Sequence, residues 1–370
     1  MTSGIGAGET SLPDGTGVRR HVHTEWPLNA GTPLDVLGRD FLTPAGLHFV
    51  RTHGTIPRLD PQAHRIEVAG LVERPLSLSA RDLAESFPTR DVAVTLVCAG
   101  LRRAELAAFS PTRSSLHWGA DAASTALWSG VRLADILAAA GVAPNATDAA
   151  FESADAVGQG ADATPFGASI AIDKAVASET LVATRMNGEA IPIEHGGPVR
   201  LIVPGYVGAR SVKWLARIAV QDSPSDNPFQ RLDYRLARTP PGEMPDPGTG
   251  AALDVAFLTS AITEPAEGER LPAGPVEIRG YAIAWTGGAV RSVEVTADRG
   301  RTWHAAVLAG EGAWTWRQWT ARLSLAPGRH DICVRAWDET GEGQPRDVAE
   351  VWNYAGYMNT SWHRVRVDVG

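Results

Sequence analysis

Cys98 is placed where a thiol can do chemistry. It closes the apolar run Val92-Ala93-Val94-Thr95-Leu96-Val97 and opens the tight segment Cys98-Ala99-Gly100-Leu101-Arg102-Arg103. Neighbouring Arg lowers a Cys pKa, and a thiolate is a soft ligand for a soft metal. The competing reading is a small buried hydrophobe, the commoner use of a free Cys. Arg and His recur in Gly-containing turns: Phe49-Val50-Arg51-Thr52-His53-Gly54, His195-Gly196-Gly197-Pro198-Val199-Arg200, and Gly205 through Trp214 with Arg210, Ser211 and Lys213. Gly brings backbone N–H groups close to a ligand, and Arg or Lys beside them suits phosphate or another oxyanion. A single such Arg is ordinarily solvated, but several in one stretch point to an anion site.

Strand patterns at residues 65–72, 92–98, 199–203 and 214–220 must position these groups. Between them Ser79 reads as the cap of a short helix, and the run from Arg132 to Ala140 as a helix stopped by Gly141. Strands mixed with helices in no strict alternation predict an α+β domain over residues 40–222. Residues 223–250 are Pro-rich and read as a linker, with Gln230-Arg231-Leu232-Asp233-Tyr234-Arg235 inside it able to dock on the first domain. Residues 251–370 carry short, evenly spaced strand patterns, which predict an all-β immunoglobulin-like sandwich. Eight of the twelve Trp fall between Trp285 and Trp362, more than one small core needs, so part of that surface is expected to line an interface.

Composition narrows the function classes. A 370-residue chain with 44% hydrophobic and 21% charged residues is an ordinary soluble globular protein of two domains. Its net charge of -8 argues against nucleic acid or a membrane surface as a general partner. Two distant Cys make no disulfide framework, and no stretch has the length of a membrane span. Residues 1–39 read as a polar lead-in, disordered or draped on the surface, in which Arg19-Arg20 is followed by His21-Val22-His23 and not by the apolar run of an export signal. The expected compartment is the cytoplasm. His21 and His23 have metal-pair spacing, yet with no strand behind them they are expected to be solvated.

The chain resembles the sulfite oxidase family, over about residues 45–368. The resemblance rests on the segments at Arg51, Cys98, His195 and Gly205–Trp214, on Phe166-Gly167-Ala168-Ser169-Ile170 and Met186-Asn187-Gly188-Glu189, and on Trp314-Thr315-Trp316-Arg317 and Ser361-Trp362-His363-Arg364. It implies a molybdenum–molybdopterin cofactor, an immunoglobulin-like dimerisation domain and a homodimer. It implies that Cys98 is the thiolate ligand of molybdenum, and that Arg51, Arg103, Arg317 and Trp118 line the substrate pocket. Phe49, Arg51 again, His53, His195, Arg200, Arg210, Ser211 and Lys213 would hold the pterin and its phosphate. The implied reaction is oxidation of sulfite to sulfate, with reduction of nitrate or of a sulfoxide as the alternative. With no Cys-x-x-Cys-His haem signature, electrons are expected to pass to an external acceptor. Three departures stand out: Leu101 in place of Asn, Ile193-Glu194 in place of Arg-Asp, and Phe166 where an active-site Tyr is expected. An esterase reading of His195-Gly196-Gly197 fails because no complete nucleophile elbow accompanies it. A scaffold with a dead cofactor domain sits poorly with Cys98 and the arginines.

Overall fold

The computed structural model describes residues 19–158, 163–286 and 288–370. It is mostly sheet with few helices. The apolar run before Cys98 forms the strand Thr89–Val97, pairing antiparallel with Ala123–Arg132 from Thr89↔Val131 to Val97↔Ala123. Leu181–Met186 and Glu189–Ala190 extend this sheet, and Arg200–Ile202 joins it through Leu181–Met186. A second five-stranded sheet runs in the order Leu76–Ser79, Arg65–Gly70, Leu215–Gln221, Asp148–Ser153, Gly167–Ala171. The two helices expected from the sequence are present. Ser79 caps Ala80–Ser86 in a reciprocal box with Asp82, and Leu133–Ala140 stops at Gly141, whose positive φ of 73° suits Gly.

Residues 19–39 are not draped. His21–Thr24 pairs with Asn29–Gly31, which pairs with Val50–Arg51 in a small antiparallel sheet. These strands are too short for a period-two signal to emerge from the sequence. Residues 1–18, also read as lead-in, lie outside the described residues.

The C-terminal half is a two-sheet sandwich. One sheet orders Thr259–Glu264, Gly274–Ile283, Arg317–Leu325 and Val307–Ala309; the other orders Glu269–Leu271, His363–Val369, Gly328–Asp338, Val290–Thr296 and His304–Ala305. Alternation puts Val276 and Ile278 inward and Glu277 outward, against a core that includes Val293, Val295, Trp319, Ile332 and Val334. The surplus tryptophan is explained by the seam between the halves. Trp316 packs into the core of the first half together with Tyr281 and Met358, while Trp352 packs on Leu106. The Trp316 N–H donates to Thr95 Oγ1 at 2.8 Å, Trp352 Nε1 to the Ser110 carbonyl at 3.0 Å, and the Tyr281 hydroxyl to the Ala120 carbonyl at 2.6 Å. No helix among the described residues is long and apolar enough to cross a membrane.

Candidate active site

The strand Thr89–Val97 delivers Cys98 to a turn fixed by its own backbone. The Cys98 N–H donates to the Ala122 carbonyl, and its carbonyl accepts from the Leu101 N–H, both at 2.9 Å. Its Sγ accepts a hydrogen bond from the Gly100 N–H at 3.4 Å. Gly100 is needed because a Cβ there would meet the Arg103 guanidinium, which folds back over the turn. Arg102, at φ 61°, then starts the helix Arg103–Phe109.

Two cavities meet at this thiol. The inner recess, about 660 Å³ of empty space including its mouth, is lined by Phe49, Phe166, His195, Arg200, Ser211 and Lys213 among others. The outer cavity, about 840 Å³ counted the same way, is lined by Arg103, Arg113, Ser114, Asp233 and Tyr357. Cys98, Arg51, His53 and Tyr234 line both.

The inner recess is built for an anion. Burial pushes the Arg200 guanidinium down to about 9, and its Nε is buried without a partner. Burial, with the fields of Arg200 and Arg51, also holds Lys213 well below the usual ammonium range, although its Nζ donates to the Glu194 carbonyl at 2.9 Å. Desolvation depresses His53 and His195, and takes His48 to about 3. Removing several cations from water is expensive unless a counter-ion joins them. An anionic cofactor carrying a phosphate is such a counter-ion.

Three expected site residues do not line either of these two cavities. Trp118 is fully buried, its carbonyl accepting from the Ala104 N–H and its ring 4.4 Å from that of His23, so it braces the underside of the turn. Arg210 binds Asp254 at 3.0 Å and Gln230 at 2.9 Å, and serves to dock the segment read as a linker. Arg317 opens a strand in register with Ala282, outside both cavities. The second half does reach the outer cavity, but through Tyr357, over whose ring the Arg103 guanidinium lies at 5.2 Å. Arg103 also donates to the Gly356 carbonyl at 2.9 Å.

Phe166 carries no phenol, but a phenol on another segment lines both cavities. Phe166 stacks on His53 with centroids 4.5 Å apart, and Tyr234 places its hydroxyl 2.7 Å from His53 Nε2. Tyr234 follows the one-turn π-helix Phe229–Asp233, whose Gln230 is buried against Ser169. The sequence signal for it was the docking stretch inside the Pro-rich segment. Arg113 and Tyr357 gave no signal at all.

A family model described as "Oxidoreductase molybdopterin binding domain" matches residues 53–229, and one described as "Mo-co oxidoreductase dimerisation domain" matches residues 252–370. Human mitochondrial sulfite oxidase is 40% identical over 378 residues, covering 98% of this chain and 68% of that protein. The chain belongs to the sulfite oxidase family. As a sulfite-oxidase-type protein it is a molybdopterin oxidoreductase, and the orphaned Arg200 Nε in a buried cationic recess fits the phosphate such a cofactor carries. Other members of this similarity group differ in reaction. An NADH nitrate reductase of Brassica napus is 35% identical, over 93% of this chain and 40% of its own length. The sulfane dehydrogenase SoxCD of Paracoccus pantotrophus matches in structure with a TM-score of 0.81 at 27% identity, over 98% of this chain and 92% of its own.

Proposed function

We propose that this enzyme oxidises sulfite to sulfate and passes the electrons to an external acceptor, working as a homodimer through its dimerisation domain. The observation that carries the reading is the outer cavity, where Arg51, Arg103 and Arg113 surround the approach to Cys98. Charge-assisted bonds from guanidinium groups suit a small oxyanion, and Arg113 is the third guanidinium on this cavity. The molybdopterin cofactor, when bound, supplies two-electron oxygen-atom transfer, with Cys98 as its protein thiolate and Arg200, Lys213, His195 and Ser211 around its pterin and phosphate.

The protein's own groups orient and hold charge. Arg103 is fixed by the Ser114 hydroxyl and the Leu116 and Gly356 carbonyls, so it presents its charge without reorganisation. Arg113 pairs with Asp233 at 3.1 Å and trades part of that contact for the substrate. Burial pushes the Tyr234 phenol upward, so it stays protonated and donates at the junction of the two cavities. Tyr234→Phe lowers kcat about a hundredfold and changes KM and molybdenum content little; steady-state kinetics with metal analysis checks this.

The reading is tested by adding sulfite to the as-isolated enzyme and following its sulfur-to-molybdenum absorption. Bleaching by sulfite, with no return on adding nitrate, is the expected result. A reduced enzyme that nitrate re-oxidises, and that sulfite does not bleach, makes it a reductase like its plant relatives.

A further inference from the structure

We infer that His21, His23 and Asp121 form a binding site for one divalent first-row transition ion, separate from the molybdenum site. Two imidazoles and a carboxylate are a donor set for such an ion. The offered ligand atoms of these three residues all lie within 4.8 Å of one another, and no other such cluster occurs among the described residues.

The strand makes the pair. His21 and His23 sit two positions apart on the strand His21–Thr24, whose register shifts between Val22 and Thr24, and both turn to the same carboxylate. Their rings lie 4.3 Å apart. His23 Nε2 is 2.7 Å, and His21 Nδ1 3.2 Å, from the same oxygen of Asp121, Oδ2. Asp121 reaches them because Gly31 stands opposite His21 in the register, and a Cβ at Gly31 would fall on the carboxylate.

What remains unsatisfied points to a ligand. The Asp121 side chain is 6% exposed, and its Oδ1 is buried with no hydrogen-bond partner. Its charge is met by the two imidazoles, which are cationic only when protonated. An orphaned oxygen in a buried carboxylate costs free energy unless a proton donor or a cation completes it. His23 is 10% exposed and fixed edge-on against Trp118, while His21 is 65% exposed. The ion would therefore sit at the surface, held from below, with a coordination position open to water or an added ligand. The site shares backbone with the catalytic turn, since Ala122, next to Asp121, accepts the Cys98 N–H.

The test uses tag-free enzyme with its molybdenum in place, stripped of loosely bound metal and titrated with Co2+. One Co2+ per chain with visible d–d absorption, displaced by Zn2+, is the expected result. His21→Gln, a change at an exposed side chain, should weaken binding by about a hundredfold or more without changing molybdenum content or thermal unfolding. His23→Gln should do the same to Co2+. Stoichiometric Co2+ binding of equal strength in wild type and His21→Gln overturns the assignment, as does a wild-type enzyme that takes up no Co2+.

Discussion

Cys98→Ser leaves the chain folded and reduces sulfite-dependent turnover to background. The backbone of the turn is held by the Ala122 carbonyl and the Leu101 N–H, so exchanging Sγ for a hydroxyl disturbs none of its main-chain bonds. What changes is the donor. Serine at neutral pH is a protonated, hard oxygen where the site offers a soft sulfur that accepts from the Gly100 N–H. Circular dichroism and size-exclusion elution should match wild type, and stopped-flow reduction by sulfite should be lost. Retained turnover sinks the assignment of Cys98 as metal ligand.

Arg102→Met destabilises the fold by about 2–3 kcal/mol, the loss of a fully buried guanidinium's bonds to two carbonyls and to the partly exposed Glu105. Its side chain is fully buried and spans the seam between the halves. Nη1 donates to the Ser361 carbonyl at 2.7 Å and the Ser260 carbonyl at 3.2 Å, while Nε and Nη2 form a fork on Glu105 at 2.8 and 2.6 Å. Methionine fills much of the volume but removes these bonds, leaving the Ser361 carbonyl to Gln344 Nε2 and the Glu105 carboxylate to Asn359 Nδ2. Urea unfolding at neutral pH measures the difference. A loss under about 1 kcal/mol, the value of an exposed pair, means that the seam does not depend on this residue.

Which site residues were legible in the sequence depends on the kind of segment that carries them. Cys98, Arg51, His53 and Lys213 were legible because each sits at a strand end or in a Gly-containing turn, where local pattern and position coincide. Tyr234, Arg113 and Tyr357 were not, because they arrive on irregular chain whose course is set by distant hydrogen bonds, such as Gln230 on Ser169 and the Arg113 N–H on the Tyr354 carbonyl. Arg317 and Arg210 have suitable chemistry but do not line the two cavities at the thiol. Strand register decides which way Arg317 faces, and a sequence read alone does not fix the partner strand. Phe166 looked like a lost phenol, and the phenol that lines both cavities lies 68 positions later, on a segment that resembled a spacer.

The carbonyl of Gly356 and the ring of Tyr357 have a consequence for inheritance. They belong to the C-terminal half, yet they hold and cover Arg103 at the mouth of the thiol. Swapping that half for one from a relative would carry away a wall of the reaction chamber, even if the sandwich itself folded well. Neither half is a spare part. Substitutions at positions 354–357 and at Arg103 and Arg113 should arise in step, and a chimaera that joins mismatched halves would be a well-folded protein with a misshapen door.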